Sequence, residues 1–231
     1  MIIKKLATVD QHANEYYYYM TPCPWLQIKY LKILQYFPAP KNAVDLRTIN
    51  GIIADVMKKT EVTKNVNKNN SDHGILFEAL NLAIQYGEST PEATRKDIIK
   101  LLGKFINVKE PNIRYLALEC MSKLGSISQG LVQKHMKAVF VSLRDKDISI
   151  RRRALDLLFC LCDQSVAGEV VNELLDYLQE NDYDLKEEMV LKIAILAEKF
   201  AENLNWYIDV IIKLIEFAGD YVSEDIWFRV A

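Results

Sequence analysis

One pattern returns along this chain at a nearly fixed interval. Ile113-Arg114-x-x-Ala117-Leu118-x-x-Met121 reappears 37 residues later as Ile150-Arg151-x-x-Ala154-Leu155-x-x-Leu158. It recurs 35 residues further on as Leu185-Lys186-x-x-Met189-Val190-x-x-Ile193, and Ile226-Trp227-x-x-Val230 repeats the second half again at 37. Upstream, Ile75-x-x-x-Ala79-Leu80 fits at 38. Within each copy the apolar residues fall three and four apart, which places them on one face of a helix. A period of this length with two helices per copy is the signature of stacked helix pairs. One pair cannot bury its apolar face alone, so neighbours stack into a continuous core. The expected fold is therefore all-α, an α-solenoid of HEAT or armadillo-like repeats. A compact helical bundle with accidental self-similarity is the alternative.

The breaks support the same reading. Pro38-Ala39-Pro40, Thr90-Pro91, Glu110-Pro111-Asn112 and Gly125-Ser126 stop or start helices. Beyond Pro111 no proline occurs, and Asp145, Asp147, Ser149, Asp182, Asp184 and Ser223 supply caps. Helices are predicted over about 22–37, 43–59, 72–87, 91–106, 111–124, 130–143, 147–162, 166–179, 184–202, 204–217 and from 221 onward, with a further one beginning residues 1–19. The whole chain, 1–231, reads as a single solenoid segment. Thr60 to Asp72, rich in asparagine and lysine and without an apolar stripe, reads as a mobile surface loop.

Composition narrows the class. Half the residues are apolar and 26% charged, so a sizeable core is affordable and wholesale disorder is excluded. Only 8 glycines and 6 prolines are present, which argues against turn-rich β-sandwiches. The net charge of −2 leaves no nucleic-acid footprint. It conceals an asymmetry: residues 1–154 carry 24 basic and 14 acidic side chains, residues 155–231 carry 5 and 17. These are either two solvated faces of opposite sign or a positive end that faces an acidic surface. No run approaches the ~18 apolar residues of a membrane span. The first residues are too short for a signal segment, so a soluble, cytosolic chain is expected.

Nothing assembles a catalytic constellation. Gly125-Ser-Ile-Ser-Gln-Gly130 is followed by Leu131-Val132 rather than Lys-Ser, so it is no phosphate loop. Glu187-Glu188 opens a helix, where the macrodipole favours acids. Cys23, Cys120, Cys160 and Cys162 lie in or beside apolar helical patterns and read as reduced thiols. Cys160-x-Cys162 is a poor chelate on a helix, and His12, His73 and His135 sit in no ligand motif. No enzyme activity, no metal and no cofactor are expected.

Two clusters remain. Arg151, Arg152 and Arg153 can fork onto phosphate or carboxylate. Only Arg151 occupies a repeat-equivalent position, like Arg114 and Lys186. One reading pairs these arginines with carboxylates between repeats, such as Asp147 or Asp184; the other uses them on an anionic lipid or a partner. The second cluster is Tyr16-Tyr17-Tyr18-Tyr19 with Trp25, beside Pro22 and Pro24. It reads as core packing at a helix junction, with peptide docking as the alternative. Trp206, Tyr207 and Trp227 read the same way.

Several strings then resemble a known family. Pro24-Trp25-Leu26-Gln27-Ile28-Lys29-Tyr30-Leu31, Arg114-Tyr115-Leu116-Ala117-Leu118-Glu119, Ser149 through Leu158, and Val190 through Lys199 all resemble the trunk of the large adaptins. Trp206-Tyr207-Ile208-Asp209 and Ala218-Gly219-Asp220-Tyr221-Val222-Ser223-Glu224-Asp225-Ile226-Trp227 look most like the alpha class, with the gamma class as the other possibility. The resemblance implies a right-handed α-solenoid that acts as a scaffold in a four-subunit clathrin adaptor complex. Its implied partners are a sigma small subunit, a beta large subunit and a mu medium subunit. The implied place is the cytoplasmic face of the plasma membrane, in coated pits, with peripheral membrane contact through the complex. The similarity covers only the middle of such a trunk, so no family binding residue is carried onto a position here. A direct anionic-lipid (phosphoinositide) binding module is the alternative function. A peptide-receptor solenoid of the karyopherin kind fits the fold but not these strings. If Ile226, Trp227 and Val230 lack a covering repeat, self-association through that end is expected.

Overall fold

The computed structural model describes residues 5–6, 12–60, 63–180 and 183–228. Among these, eleven α-helices follow one another: α1 Pro24–Leu34, α2 Ala43–Lys59, α3 Val66–Tyr86, α4 Glu92–Phe105, α5 Pro111–Val132, α6 Met136–Ser142, α7 Ile148–Leu161, α8 Ala167–Leu178, α9 Lys186–Phe200, α10 Leu204–Ala218 and α11 Glu224–Phe228. Of the predicted caps, Asp147 accepts from the Ser149 N–H at the start of α7, whereas α9 starts after Leu185 with no side-chain cap. Asn203, which the sequence reading did not single out, accepts from the Trp206 N–H at the start of α10. Asp182 and Val230 lie outside the described residues.

Helix-helix packing divides the chain into two compact units, Met1–Leu102 and Gly103–Ala231. In the first, α3 is the centre: α1 and α2 both pack against it, and Leu76, Ala79, Leu80 and Leu82 of α3 are fully buried. In the second, α5 lies along α7, α9 packs against α8 and α10, and α7 also meets α6 and α9. The repeated positions form its core. Ile150, Ala154, Leu155 and Leu158 of α7 are fully buried, as are Met189 and Ile193 of α9 and Ala117, Leu118 and Met121 of α5. These stacked helix pairs make the chain an all-α solenoid of the HEAT or armadillo kind.

The departures from sequence expectation have local causes. The stretch Thr60 to Asp72 is not a loop throughout, because α3 already begins at Val66. Asn65 caps it by accepting from the Lys68 N–H at 3.1 Å. Asn69 closes the entry by bonding both the N–H and the carbonyl of Thr63, at 2.8 and 2.7 Å. Ser71 and Asp72, which the sequence placed in the loop, are buried. Asp72 accepts from Thr21 Oγ1 at 2.6 Å, a partner 51 positions away that no local reading could supply.

The helix expected to begin residues 1–19 is described only at residues 5–6, which are helical, and it does not reach residue 14. Residues 14–16 form a single 3-10 turn, and a two-residue antiparallel ladder, β1 Tyr17–Tyr18 with β2 Thr21–Pro22, follows it. Tyr19 and Met20 turn the chain between the strands with φ of 46° and 68°. Both central residues are left-handed, the geometry of a tight hairpin turn usually given to Asn-Gly. Finally, α5 runs through the break expected at Gly125-Ser126 and absorbs it as a kink at Ser128, with φ −142° and ψ 46°.

Glycine is required at one close approach. A Cβ on Gly103 would lie 2.4 Å from the imidazole of His135.

Candidate functional site

Three successive repeats begin a helix with a cation at the equivalent position, and the structure shows what it does. Arg114, in the first turn of α5, donates through Nη1 to the carbonyls of Val108 and Lys109 at 3.0 and 2.7 Å. Its Nη2 meets Asp145 at 2.8 Å. Arg151 repeats this 37 residues later: Nη1 donates to the carbonyls of Asp145 and Lys146 at 3.1 and 3.3 Å, and Nη2 lies 3.4 Å from Asp184. The fork satisfies carbonyls of the turn that precedes its own helix and reaches the acid that starts the next repeat. Lys186, third in register, is buried with Nζ 5.2 Å from the centre of the Tyr221 ring.

The other two arginines of the cluster point elsewhere. Arg153 donates through Nε and Nη2 to the Tyr115 hydroxyl on α5, at 3.1 and 2.8 Å. That hydrogen bond raises the Arg153 pKa above its ordinary value despite partial burial. Arg152 is 55% exposed and pairs with Glu188 of α9 at 3.2 Å. Lys192 of α9 bridges back to Asp156 at 2.7 Å and to Glu188 at 3.2 Å. Burial alone would depress the Lys192 pKa; the hydrogen bonds and charges of Asp156 and Glu188 outweigh it and raise it. The three consecutive arginines thus have different protein partners. Arg151 closes the repeat ladder and Arg153 holds α7 to α5. Arg152 and Arg153 both line a groove of about 540 Å³ with Asn112, Tyr115, Ser149 and Asp156.

The aromatic cluster is exposed rather than packed in a core. Tyr16, Tyr19 and Trp25 are half exposed and Met20 is 82% exposed. The left-handed turn directs Tyr19 and Met20 outward, and α1 buries only Pro24, Gln27 and Leu31. Tyr18 stacks on Trp25 with ring centroids 5.8 Å apart. Under the hairpin lies a cleft of about 310 Å³ whose walls include Met20, Thr21, Val56, Lys68 and Asp72. Trp227 is likewise 48% exposed, whereas Ile226 beside it is buried.

Among the described residues no His, Cys, Asp and Glu side chains gather as a metal site, and no helix is long and apolar enough to cross a membrane. The cysteines differ sharply. Cys160 is exposed on α7, while Cys120 and Cys162 are buried. Burial first, then the nearby Asp163, pushes the Cys162 thiol up to about 11. A maleimide at neutral pH should modify Cys160 rapidly and leave Cys120 and Cys162 untouched until the protein is denatured. Peptide mapping by mass spectrometry checks this, and early labelling of Cys162 would contradict the burial seen here.

Stacked helix pairs joined by cross-repeat arginines define a helical-repeat protein. The chain belongs to the family described as the adaptin N terminal region, which matches residues 3–231. It is 48% identical over 231 residues to AP-2 complex subunit alpha-1 of Arabidopsis thaliana, covering 99% of this chain and 23% of that protein. It is 49% identical over 234 residues to AP-2 complex subunit alpha-2 of Dictyostelium discoideum, covering 99% and 24%. Identity falls to 34% over 205 residues for AP-1 complex subunit gamma-2 of Arabidopsis thaliana, so the alpha class is the better match. The chain spans about a quarter of the length of these curated relatives. An engineered protein of known crystal structure shares the fold alone, with a TM-score of 0.53 at 12% identity over 100% of this chain and 95% of that one.

Proposed function

We propose that this chain is a structural stretch of a clathrin-adaptor large subunit of the alpha class, a platform for protein contacts that supports cargo selection and coated-vesicle formation in endocytosis. The observation that carries this reading is near-half identity to AP-2 alpha subunits across 99% of the chain. The ladder of Arg114 and Arg151 supports it, because those cations are used to stack repeats and not to do chemistry. The partners are a sigma small subunit, a beta large subunit and a mu medium subunit. The place of action is the cytoplasmic face of the plasma membrane at coated pits. The chain has no turnover of its own and needs no cofactor.

The test is affinity purification of the full-length polypeptide that contains this chain, from its own cells, at 150 and 500 mM salt. Recovery of a small, a medium and a second large adaptor subunit in equal amounts at both concentrations is expected, since a packed interface resists screening. Recovery of none of them would overturn the reading. A direct anionic-lipid module is the second reading. It rests on Arg152, the exposed member of the triplet, and would give vesicle binding that collapses with salt.

A further inference from the structure

The charge asymmetry of the sequence changes sign between residues 154 and 155, inside α7. Helix α7 is the member of the pair α6–α7 that packs against α9 of the next pair, α8–α9. Ion pairs span this seam. At the turn after α6, Arg144 reaches Glu173 of α8 at 2.5 Å and Glu180 at 2.8 Å, and Arg151, bonded to carbonyls of the same turn, reaches Asp184. Along α7 and α9, Arg152 reaches Glu188 at 3.2 Å, and Lys192 reaches Asp156 at 2.7 Å. The hydrogen bond to Glu173 is the largest influence on Arg144 and raises its pKa. The interior of the seam is apolar, with Leu157 and Leu158 of α7, Val170 and Val171 of α8 and Met189 of α9 fully buried. The junction before it is built differently: α5 lies along α7, joined by Arg114–Asp145 and by the uncharged Tyr115 hydroxyl under Arg153.

We propose that this seam is an electrostatic joint, at which the pair α8–α9 bends against α6–α7 when anions or high ionic strength loosen the clasps. Apolar packing at the centre is nondirectional and tolerates small rotations, so it serves as the pivot. The clasps join the two helix pairs at their surface and oppose bending. They are the part that solvent reaches: Arg144 is 39% exposed, Glu180 44% and Arg152 55%. Exposed pairs weaken as salt rises, whereas the pivot does not. A partner with carboxylates or phosphates that drew Arg144 or Arg152 away from the glutamates would therefore change the local curvature of the platform.

The experiment measures a distance across the seam. Spin labels on p-acetylphenylalanine replace Lys137 of α6 and Asp209 of α10, both exposed, in the full chain with its native cysteines retained. A control pair replaces Lys123 of α5 and Lys137, both on the near side of the seam. From 50 to 500 mM sodium chloride the distance distribution across the seam should widen about two-fold while the control stays constant. Arg144→Gln with Arg152→Gln should reproduce the wide distribution already at 50 mM. An unchanged distribution, or equal widening of the control pair, overturns the joint. The wild-type salt series decides even if the double variant folds poorly.

Discussion

Leu155→Ala should lower the free energy of unfolding by about 2–5 kcal/mol, the range for removing a large aliphatic side chain from a packed core. Leu155 is fully buried on α7, which touches α5 on one side and α9 on the other. Its counterparts at the same register, Leu118 and Val190, are buried too. A cavity here removes contacts from two repeat junctions at once, because each repeat is stabilised mainly by its neighbours. Loss of helical circular dichroism in urea measures the effect. A shift of the midpoint equivalent to less than about 1 kcal/mol would mean that α7 is not the central helix of its stack.

Arg114→Ala should cost about 2–3 kcal/mol, since hydrogen bonds to or from charged groups contribute about 1.5–3 kcal/mol. The loss leaves the Val108 and Lys109 carbonyls and the Asp145 carboxylate short of a donor. Both partners of the ion pair are mostly covered, at 17% and 14% side-chain exposure, so solvent compensates poorly. Lysine should not restore the loss, because a single ammonium cannot fork onto two carbonyls and a carboxylate together. Arg152→Ala is the contrasting case: at 55% exposure with one glutamate partner it should change stability by no more than about 1 kcal/mol. Equal effects from the two variants, measured by the same denaturation, would refute the division of the arginines made here.

The repeat explains why so much of this fold was legible. Periodicity fixes which face of each helix is apolar, and a second periodicity of 35–38 residues states that the faces stack. The predicted spans 43–59 and 204–217 therefore agree with α2 and α10 to within a residue. The same register set Arg151 apart as the repeat-equivalent of Arg114, and the structure chose Asp184 over Asp147 as its partner. Resemblance of whole strings, rather than any constellation of side chains, pointed to the adaptin family.

What stayed hidden depends on contacts that no period encodes. Asn, Ser and Asp at 65–72 are poor helix formers by local preference, yet they open α3 because Asp72 meets Thr21 across 51 positions. The tyrosine run read as core, but two left-handed residues fold it into a hairpin that turns its rings outward. Arg152 and Arg153 are neighbours of one type, and only the stacking of α5, α7 and α9 sends one to Glu188 and the other to Tyr115. The sequence by itself determined the class of fold and the buried stripe, because burial of apolar surface follows helical geometry residue by residue. Tertiary structure alone decided the polar partners and the seam at α7. Those depend on which side chains, about 30–50 positions apart, arrive within hydrogen-bond reach, a condition set by the stacked backbone and not by the order of residues.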